Sequence, residues 1–251
     1  MIAPLPRSLS FAGLVPAAGS PWGATPRAMM EWAALAGWKS VHLDGAMPGL
    51  RARELDRSAR RDVASVLRRV QLQFSGIDLW IPPEHFVDTR HVERAVEAVC
   101  GAVELAAEIA KLNAQPVPVV SIQLHSKILP AVLATIVASA ERSGVVLADH
   151  QWPALESWSV GGHAGIGIDP AAMFMAGEAR PIAAAQRVAT RIISARLSDV
   201  TSAGRVAAGK GRLDLLEYEV ALSTASYARP VIVDLRGVAV PPLTPDAFDP
   251  A

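Results

Sequence analysis

Cysteine, aromatic side chains and an excess of either charge are all scarce in this sequence of 251 residues. The one cysteine, Cys100, cannot form a disulfide within the chain, which is typical of proteins in a reducing compartment. Basic and acidic residues number 24 each, so no field of one sign attracts nucleic acid or anionic lipid. No apolar run approaches the roughly 20 residues that a membrane span needs. These absences predict a cytoplasmic protein without nucleic-acid or membrane partners.

The sequence does contain enough apolar material for one large core. Hydrophobic residues make up 51% of the chain and charged residues 19%, which is the balance of a globular protein. A single α/β barrel usually needs about 250 residues. We therefore expect one domain over residues 1–240, followed by a proline-rich tail over 241–251 that lies outside the core.

Short β-branched segments alternate with longer segments of helical periodicity along the chain. This order is typical of parallel strands joined by crossover helices. The predicted strands are 9–15, 40–43, 72–79, 117–124, 144–148, 165–168, 192–197 and 230–235. Eight strands favour a closed (β/α)8 TIM barrel, because the first strand leads into PAAGSPWG, which lacks the GxGxxG loop of an open nucleotide-binding sheet.

Capping residues mark where several of the connecting helices begin. Thr25 stands directly before a proline, which predicts a helix that runs to Gly37. Asp88 or Thr89 is the predicted cap of a long amphipathic helix, and Asp214 begins a variant of the capping box. Further helices are predicted over 58–70 and 128–143, and a loop or short helix over 149–162.

Ionisable residues follow almost every predicted strand, and the reacting groups of such barrels lie at the carboxyl ends of the strands. Because side chains alternate along a strand, we take Asp149, Asp169 and Asp234 as facing inward beside Arg196. Three carboxylates around one guanidinium could hold a divalent cation or a polyhydroxylated ligand. The predicted metal ligands are Asp149, Asp169, Asp234 and His150.

Other residues near the strand ends are candidates for substrate contacts. Glu84 and His85 follow two prolines that stiffen their loop, which favours an acid/base or binding pair. The glycine-rich segment 202–212 is interpreted as a flexible, solvated loop, with closure over an anionic substrate as the alternative. The remaining candidates for substrate binding are His42, Trp80, His125, Arg196 and Arg236.

Several longer segments carry a resemblance to a known family. They are SGIDLWIPPEHF, GIGIDPAAMFMAG, and ARLSDVTSAGRVAAGKGRLDLLEYEVAL followed by VIVDLRG. In this order they resemble the sugar phosphate isomerase/epimerase family, whose fold is the xylose isomerase-like TIM barrel, over nearly the whole chain. In active members of that family, strands five to eight supply Glu, Asp, His and Glu, which bind one divalent metal: Mn, Mg, Co or Zn.

The positions of this chain that match those ligands are Asp149, Asp169, Arg196 and Asp234, so the implied metal site is divergent. A guanidinium cannot coordinate a metal, and at about 4 Å it repels a divalent ion by roughly 8 kcal/mol if the effective dielectric is about 20. Three hypotheses follow from the resemblance. Arg196 replaces the metal while an aspartate acts as base; or His150 or His125 supplies the nitrogen ligand of a retained metal; or the barrel binds a ligand without turnover.

The function that the resemblance implies is isomerisation or epimerisation of a small sugar or sugar phosphate. A proton next to a carbonyl is removed and returned elsewhere through an enediol. The candidate catalytic residues are Asp149, Asp234 and Glu84. The alternative is a catalytically silent barrel that binds a sugar-like ligand or a partner. The sequence leaves open whether the chain forms a homo-oligomer.

Overall fold

In the computed structural model, which describes residues 5–15, 20, 23, 25–155, 162–238 and 244–248, eight parallel strands close into a barrel. The barrel strands are β1 (Arg7–Ser10), β2 (Ser40–Asp44), β3 (Gln73–Asp78), β4 (Val119–Ile122), β5 (Val146–Asp149), β6 (Ala164–Ile168), β7 (Ile192–Leu197) and β10 (Val231–Val233). Between β7 and β10 lies a two-stranded antiparallel hairpin of β8 (Asp199–Thr201) and β9 (Gly204–Val206). The predicted (β/α)8 TIM barrel is confirmed.

Neighbouring strands around the barrel follow the order β1, β10, β7, β6, β5, β4, β3, β2, which returns to β1. Every pair in this ring is parallel. β3 and β7 are separated by three strands on either side, so they lie on opposite sides of the barrel. A long side chain from one can therefore meet a side chain of the other across the barrel interior.

Helices and short turns connect the strands on the outside of the barrel. The α-helices are α1 (Pro26–Leu35), α2 (Arg57–Arg69), α3 (Val92–Leu112), α4 (Pro130–Ser143), α5 (Pro170–Met175), α6 (Pro181–Arg187) and α7 (Leu215–Thr224). The 3-10 turns are Ala52–Glu54, Pro83–Phe86, Ala189–Arg191 and Pro245–Phe248. None of the helices in the described part of the chain has the length and hydropathy that a membrane crossing requires.

Two of the predicted helix caps are confirmed and one is wrong. The hydroxyl of Thr25 accepts the N–H of Ala28 in the first turn of α1, and the carboxylate of Asp214 accepts that of Glu217 in the first turn of α7. α3 instead begins after His91 without a side-chain cap. Asp88 accepts the backbone N–H of Arg90 and pairs with its guanidinium, so this carboxylate is engaged before the helix starts. The described residues of the 149–162 connection form no helix, and 156–161 lie outside the described residues.

The first strand ends earlier in the chain than predicted. The prediction was 9–15, whereas β1 is Arg7–Ser10. Gly13 adopts a positive φ of 71°, and the N–H of Leu14 donates to the carbonyl of Phe11 at 3.2 Å. A turn of this kind cannot continue a strand, because the chain reverses before it can pair further.

Part of the tail packs on the barrel rather than outside it, contrary to prediction. Phe248 is fully buried, and its ring centroid lies 6.1 Å from that of Trp38. A phenylalanine removes a large apolar area from water, which outweighs the proline-rich composition around it. The predicted domain boundary at residue 240 lies outside the described residues and stays a prediction.

The apolar core lies between the strands and the helices, whereas the barrel interior is small and polar. Leu9, Val41 and Ile122 belong to the apolar core. The interior is lined by buried serines, a histidine and charged groups. These are Ser8, Ser10, Ser40, His42, Asp78, Ser121, Ser194 and Arg196. Small serines leave space inside the barrel, and this space is where the long side chain of Arg196 lies.

Candidate functional site

Arg196 crosses the barrel interior from β7 to β3. Its Nη2 contacts Oδ1 of Asp78 on the opposite side of the barrel, and its Nη1 donates to Oδ2 of Asp234 at 3.1 Å. The side chains of all three residues are fully buried. A buried guanidinium is tolerated only where carboxylates pair with it, so these three residues form one unit.

A second guanidinium joins the ends of β6 and β10. Nη2 of Arg236 lies 2.5 Å from Oδ2 of Asp234 and 2.9 Å from Oδ2 of Asp169. Nε of the same residue lies 3.0 Å from each carboxylate oxygen of Asp234, so this pair is bidentate. One nitrogen of Arg236 therefore bridges two carboxylates.

The third guanidinium is delivered by the β8–β9 hairpin. Nη2 of Arg205 donates to Oδ2 of Asp169 at 2.7 Å, and its Nη1 lies 3.6 Å from Oδ2 of Asp234. Asp199, at the base of the hairpin, is fully buried and accepts five backbone N–H groups, from residues 200, 209, 211, 212 and 213. The segment 202–212, interpreted as a loop, thus contains the strand β9 and is bonded to Asp199 at its later end.

We call Arg196, Arg205 and Arg236 the guanidinium triad. Their charges are balanced by three carboxylates, those of Asp78, Asp169 and Asp234. Burial alone raises the pKa of Asp169, but Arg205 and Arg236 outweigh it, and the net result is a lowered pKa. Burial is likewise outweighed at Asp234, whose pKa Arg236 and Arg196 hold well below its usual range. Both carboxylates are thus ionised at neutral pH and are weak bases.

Two buried histidines continue the polar network away from the triad. His42 contacts Ser75 through Nδ1 at 3.0 Å, and its Nε2 lies 3.4 Å from both Oδ1 of Asp78 and Oγ of Ser121. His150 reaches the same Ser121 hydroxyl at 3.3 Å. Burial lowers the pKa of His42 to about 4, although Asp78 opposes it. Burial, Arg196 and Arg236 lower the pKa of His150, so both imidazoles are neutral at pH 7.

Trp80, a predicted substrate-binding residue, lies beside the triad and contacts two of its arginines. Its ring centroid is 3.8 Å from the guanidinium carbon of Arg236 and 4.7 Å from that of Arg196. The ring of His150 meets it edge-on at 5.6 Å. Four buried polar atoms here have no hydrogen-bond partner in the described part of the chain. They are Nε1 of Trp80, Nδ1 of His150, Nε of Arg196 and Nη1 of Arg205.

Asp149 does not face the same way as the inward residues of its neighbours. The register of β4 and β5 pairs it with Ile122, and it pairs Ala148 with the interior Ser121. Oδ1 of Asp149 accepts the backbone N–H groups of Leu124 and Gln151, each at 3.0 Å, so it holds the ends of both strands. The inward position at the end of β5 belongs to His150. Of the three aspartates predicted to meet, Asp169 and Asp234 lie together, whereas the prediction for Asp149 is wrong.

Three other predicted residues lie away from the triad. Glu84 and His85 are in the 3-10 turn before α3, where the ring of His85 stacks on that of His91 at 4.5 Å. His85 also lines a cavity of about 840 Å³ between α3 and the segment after β2, outside the barrel. Nδ1 of His125 accepts the N–H of Lys127 at 3.0 Å, which closes a local turn. No contact within the described residues joins these three side chains to the triad.

Two functional residues escaped the sequence analysis. Asp78 stands two residues before Trp80, so strand alternation places both on one face, and this signal was available in the sequence. Asp199 follows β7 by two residues, but nothing in its neighbourhood predicts five backbone bonds. The partner of Asp78 is Arg196, 118 residues later in the chain. Only the closed barrel brings the two together.

The residues present do not fit the divalent metal that the resemblance implies. A cation that contacts both Asp169 and Asp234 would lie where Nη2 of Arg236 lies. Among the residues that the structure describes, no group of three or more His, Cys, Asp and Glu side chains could hold a metal ion. Asp149, Asp169, Asp234 and His150 therefore do not form the predicted metal site.

The fold is a closed (β/α)8 TIM barrel, and ion pairs between arginines and aspartates fill its mouth. No family model matches the chain, and no curated protein matches it. Solved structures do. A xylose isomerase domain protein from Planctomyces limnophilus is 17% identical, with a TM-score of 0.64 over 92% of this chain and 91% of that chain.

Two further solved structures have the same fold. A sugar phosphate isomerase/epimerase from Parabacteroides distasonis is 13% identical, with a TM-score of 0.64 over 94% of this chain and 89% of that chain. An L-ribulose 3-epimerase is 17% identical, with a TM-score of 0.63 over 93% and 81%. The predicted resemblance is thus confirmed at the level of the fold.

Proposed function

We propose that this chain is a binding barrel, which takes a small sugar-like molecule at its mouth without the proton transfer of an isomerase. This proposal rests on the observation that Asp169 and Asp234 are both paired with arginine side chains. Each carboxylate stands at the end of a barrel strand, where an isomerase needs its reacting groups. Each is held by at least two guanidinium groups.

Proton removal next to a carbonyl needs a base whose proton affinity suits the task. Asp234 is the candidate that the resemblance offers, and Arg236 holds it through a bidentate pair. The lowered pKa of Asp234 means that the proton would have to be accepted against two nearby positive charges. A carboxylate of this kind serves better to orient guanidinium groups than to move protons.

The unpartnered polar atoms around Trp80 support a ligand rich in oxygen. Nε1 of Trp80, Nε of Arg196 and Nη1 of Arg205 are all donors, and hydroxyl or carboxylate oxygens accept from such groups. The side chains of Arg205 and Arg236 are 17% and 22% exposed, so a ligand at the mouth reaches them first. Proteins of this fold include an L-ribulose 3-epimerase and a sugar phosphate isomerase/epimerase, which favours a sugar, sugar acid or sugar phosphate.

The second candidate is an isomerase or epimerase that works without a metal. It is favoured by Nε of Arg196, a buried donor at the centre of the barrel that has no hydrogen-bond partner among the residues that the structure describes. This guanidinium would polarise the substrate carbonyl and stabilise the enediolate. An aspartate at the strand ends would then act as base, and the proton would return to the same or the neighbouring carbon.

Binding and proton exchange in heavy water distinguish the two candidates. Ketoses, sugar acids and sugar phosphates are first tested by thermal shift, and each ligand that binds is then followed by proton NMR in deuterium oxide. The binding barrel predicts a thermal shift without exchange at any ligand carbon. Arg205→Gln should weaken binding about tenfold, which is one lost charged hydrogen bond, whereas Arg187→Gln on the exposed surface should not. Exchange that Arg196→Met abolishes would establish the isomerase, and no binding by any ligand class would refute both.

A further inference from the structure

The position of one nitrogen of Arg236 carries an inference that does not rest on the proposed function. Nη2 lies between Oδ2 of Asp234, at 2.5 Å, and Oδ2 of Asp169, at 2.9 Å. Oxygen ligands lie about 2.3 to 2.6 Å from calcium and about 2.0 to 2.2 Å from the smaller divalent ions. The nitrogen thus has the place of a cation that bridges two carboxylates, at the distances of charged hydrogen bonds.

Both carboxylates are fixed in this orientation by other groups. Oδ1 of Asp169 accepts the hydroxyl of Ser198 at 2.6 Å and the N–H of Ala172 at 3.1 Å, where α5 begins. Oδ1 of Asp234 accepts the backbone N–H of Arg236 itself at 3.0 Å, a bond that does not depend on the side chain. The two Oδ2 atoms therefore point at the same place whether or not the guanidinium is there.

We infer that Arg236 is a built-in cation, which takes the place of a divalent metal between Asp169 and Asp234. The barrel mouth consequently binds no divalent metal while this side chain is present. Arg205 reinforces the effect, because its Nη2 lies 2.7 Å from the same oxygen of Asp169. A metal would have to displace one guanidinium and approach a second.

This inference predicts that a divalent site appears when the two partly exposed members of the triad, Arg205 and Arg236, lose their charge. Arg205→Ala/Arg236→Ala removes both guanidinium groups that hold Asp169 and leaves only Arg196 on Asp234, so the two carboxylates can share a cation whose coordination water completes. Isothermal titration with Mn²⁺ should give one site with a dissociation constant of about 10⁻⁴ to 10⁻³ M, the range of weak carboxylate sites. The wild-type chain should show no saturable Mn²⁺ binding.

Matched variants separate this site from binding elsewhere on the surface. Arg236→Lys keeps a positive charge between the carboxylates, so it should bind no Mn²⁺. Adding Asp234→Asn to the double variant should abolish the new site. Because the double variant removes two buried charges, circular dichroism must first show that it folds. If it does not fold alone, thermal unfolding with and without Mn²⁺ is measured on Arg236→Ala, whose midpoint Mn²⁺ should raise while leaving that of Arg236→Lys unchanged.

Two results would overturn the inference. The first is stoichiometric Mn²⁺ in wild-type protein purified without a chelator or a histidine tag. The second is a folded double variant that Mn²⁺ neither binds nor stabilises. Both readouts use the metal alone, so they are independent of whether any sugar binds.

Discussion

Arg196→Met tests whether the guanidinium at the centre of the barrel holds the interior together. Methionine has a similar volume and no charge, so the change removes the ion pairs with little loss of packing. Asp78 is fully buried and would keep the hydroxyl of Ser10 as a hydrogen-bond donor and the neutral His42 beside it. Removing one partner of a buried pair costs about 3 to 5 kcal/mol, and we expect this range at pH 8. The loss is large against a total stability of about 5 to 15 kcal/mol.

The size of this loss should depend on pH, because His42 lies 3.4 Å from Asp78. In the wild type, the pKa of His42 is lowered to about 4, below its unfolded value of about 6.5. The unfolded state then binds more protons, so stability falls by up to about 3 kcal/mol as the pH drops from about 6.5 to about 4. Arg196 contributes to that lowering. Without it, His42 can take up a proton and pair with Asp78, so the deficit of the variant should shrink at pH 5.

Urea unfolding followed by circular dichroism at pH 8 and pH 5 measures both effects. Arg187→Met is the matched control, since its side chain is 64% exposed, and it should change the unfolding free energy by less than about 0.5 kcal/mol. Asp78→Leu/Arg196→Met removes both charges and should be less destabilising than the two single changes added together. A loss below about 1 kcal/mol for Arg196→Met, or strict additivity in the double variant, would refute the reasoning.

Three further changes test other parts of the structure. His42→Gln should remove part of the loss of stability between pH 6.5 and pH 4, seen as a smaller difference between urea midpoints at pH 7 and pH 5; an unchanged difference would contradict the assignment. Asp199→Ala leaves five backbone N–H groups without their acceptor, so hydrogen exchange over 200–213 should accelerate while exchange in α3 does not. Phe248→Ala should cost about 3 kcal/mol of unfolding free energy, because its buried ring packs on Trp38, and a loss under about 1 kcal/mol would show that the tail is dispensable.

The order of strands and helices was predictable because each element depends mainly on residues close to it in the sequence. The seventh predicted strand, over 192–197, has the bounds of β7, and the caps of α1 and α7 follow from Thr25 and Asp214 alone. The β1 end was not predictable, because Gly13 reverses the chain within an apolar run that otherwise looks like strand. The burial of Phe248 was not predictable either, because it packs on Trp38, which is more than 200 residues away in the sequence.

The site was harder to predict than the fold because both faces of a parallel barrel strand are buried. Alternation separates Asp149 from His150, but it does not say which of the two faces the interior. The register with β4 decides it in favour of His150. The triad poses a related problem: Arg205 comes from a glycine-rich segment whose composition is typical of a loop, and the carboxylate that fixes it, Asp199, must itself be buried before the hairpin can form.

Several residues of this chain differ from the metal ligands that the resemblance implies, and these differences can be explained only when they are considered together. An aspartate is about 1.5 Å shorter than a glutamate, which leaves space between opposing strand ends. Arginine side chains are long enough to fill that space, and three of them balance the charges of three carboxylates. Arg196→His alone restores the nitrogen ligand that the resemblance implies, but it leaves Arg205 and Arg236 on Asp169 and Asp234. It should therefore bind no metal. Metal binding by this variant, with both arginines in place, would show that Arg205 and Arg236 are not the barrier.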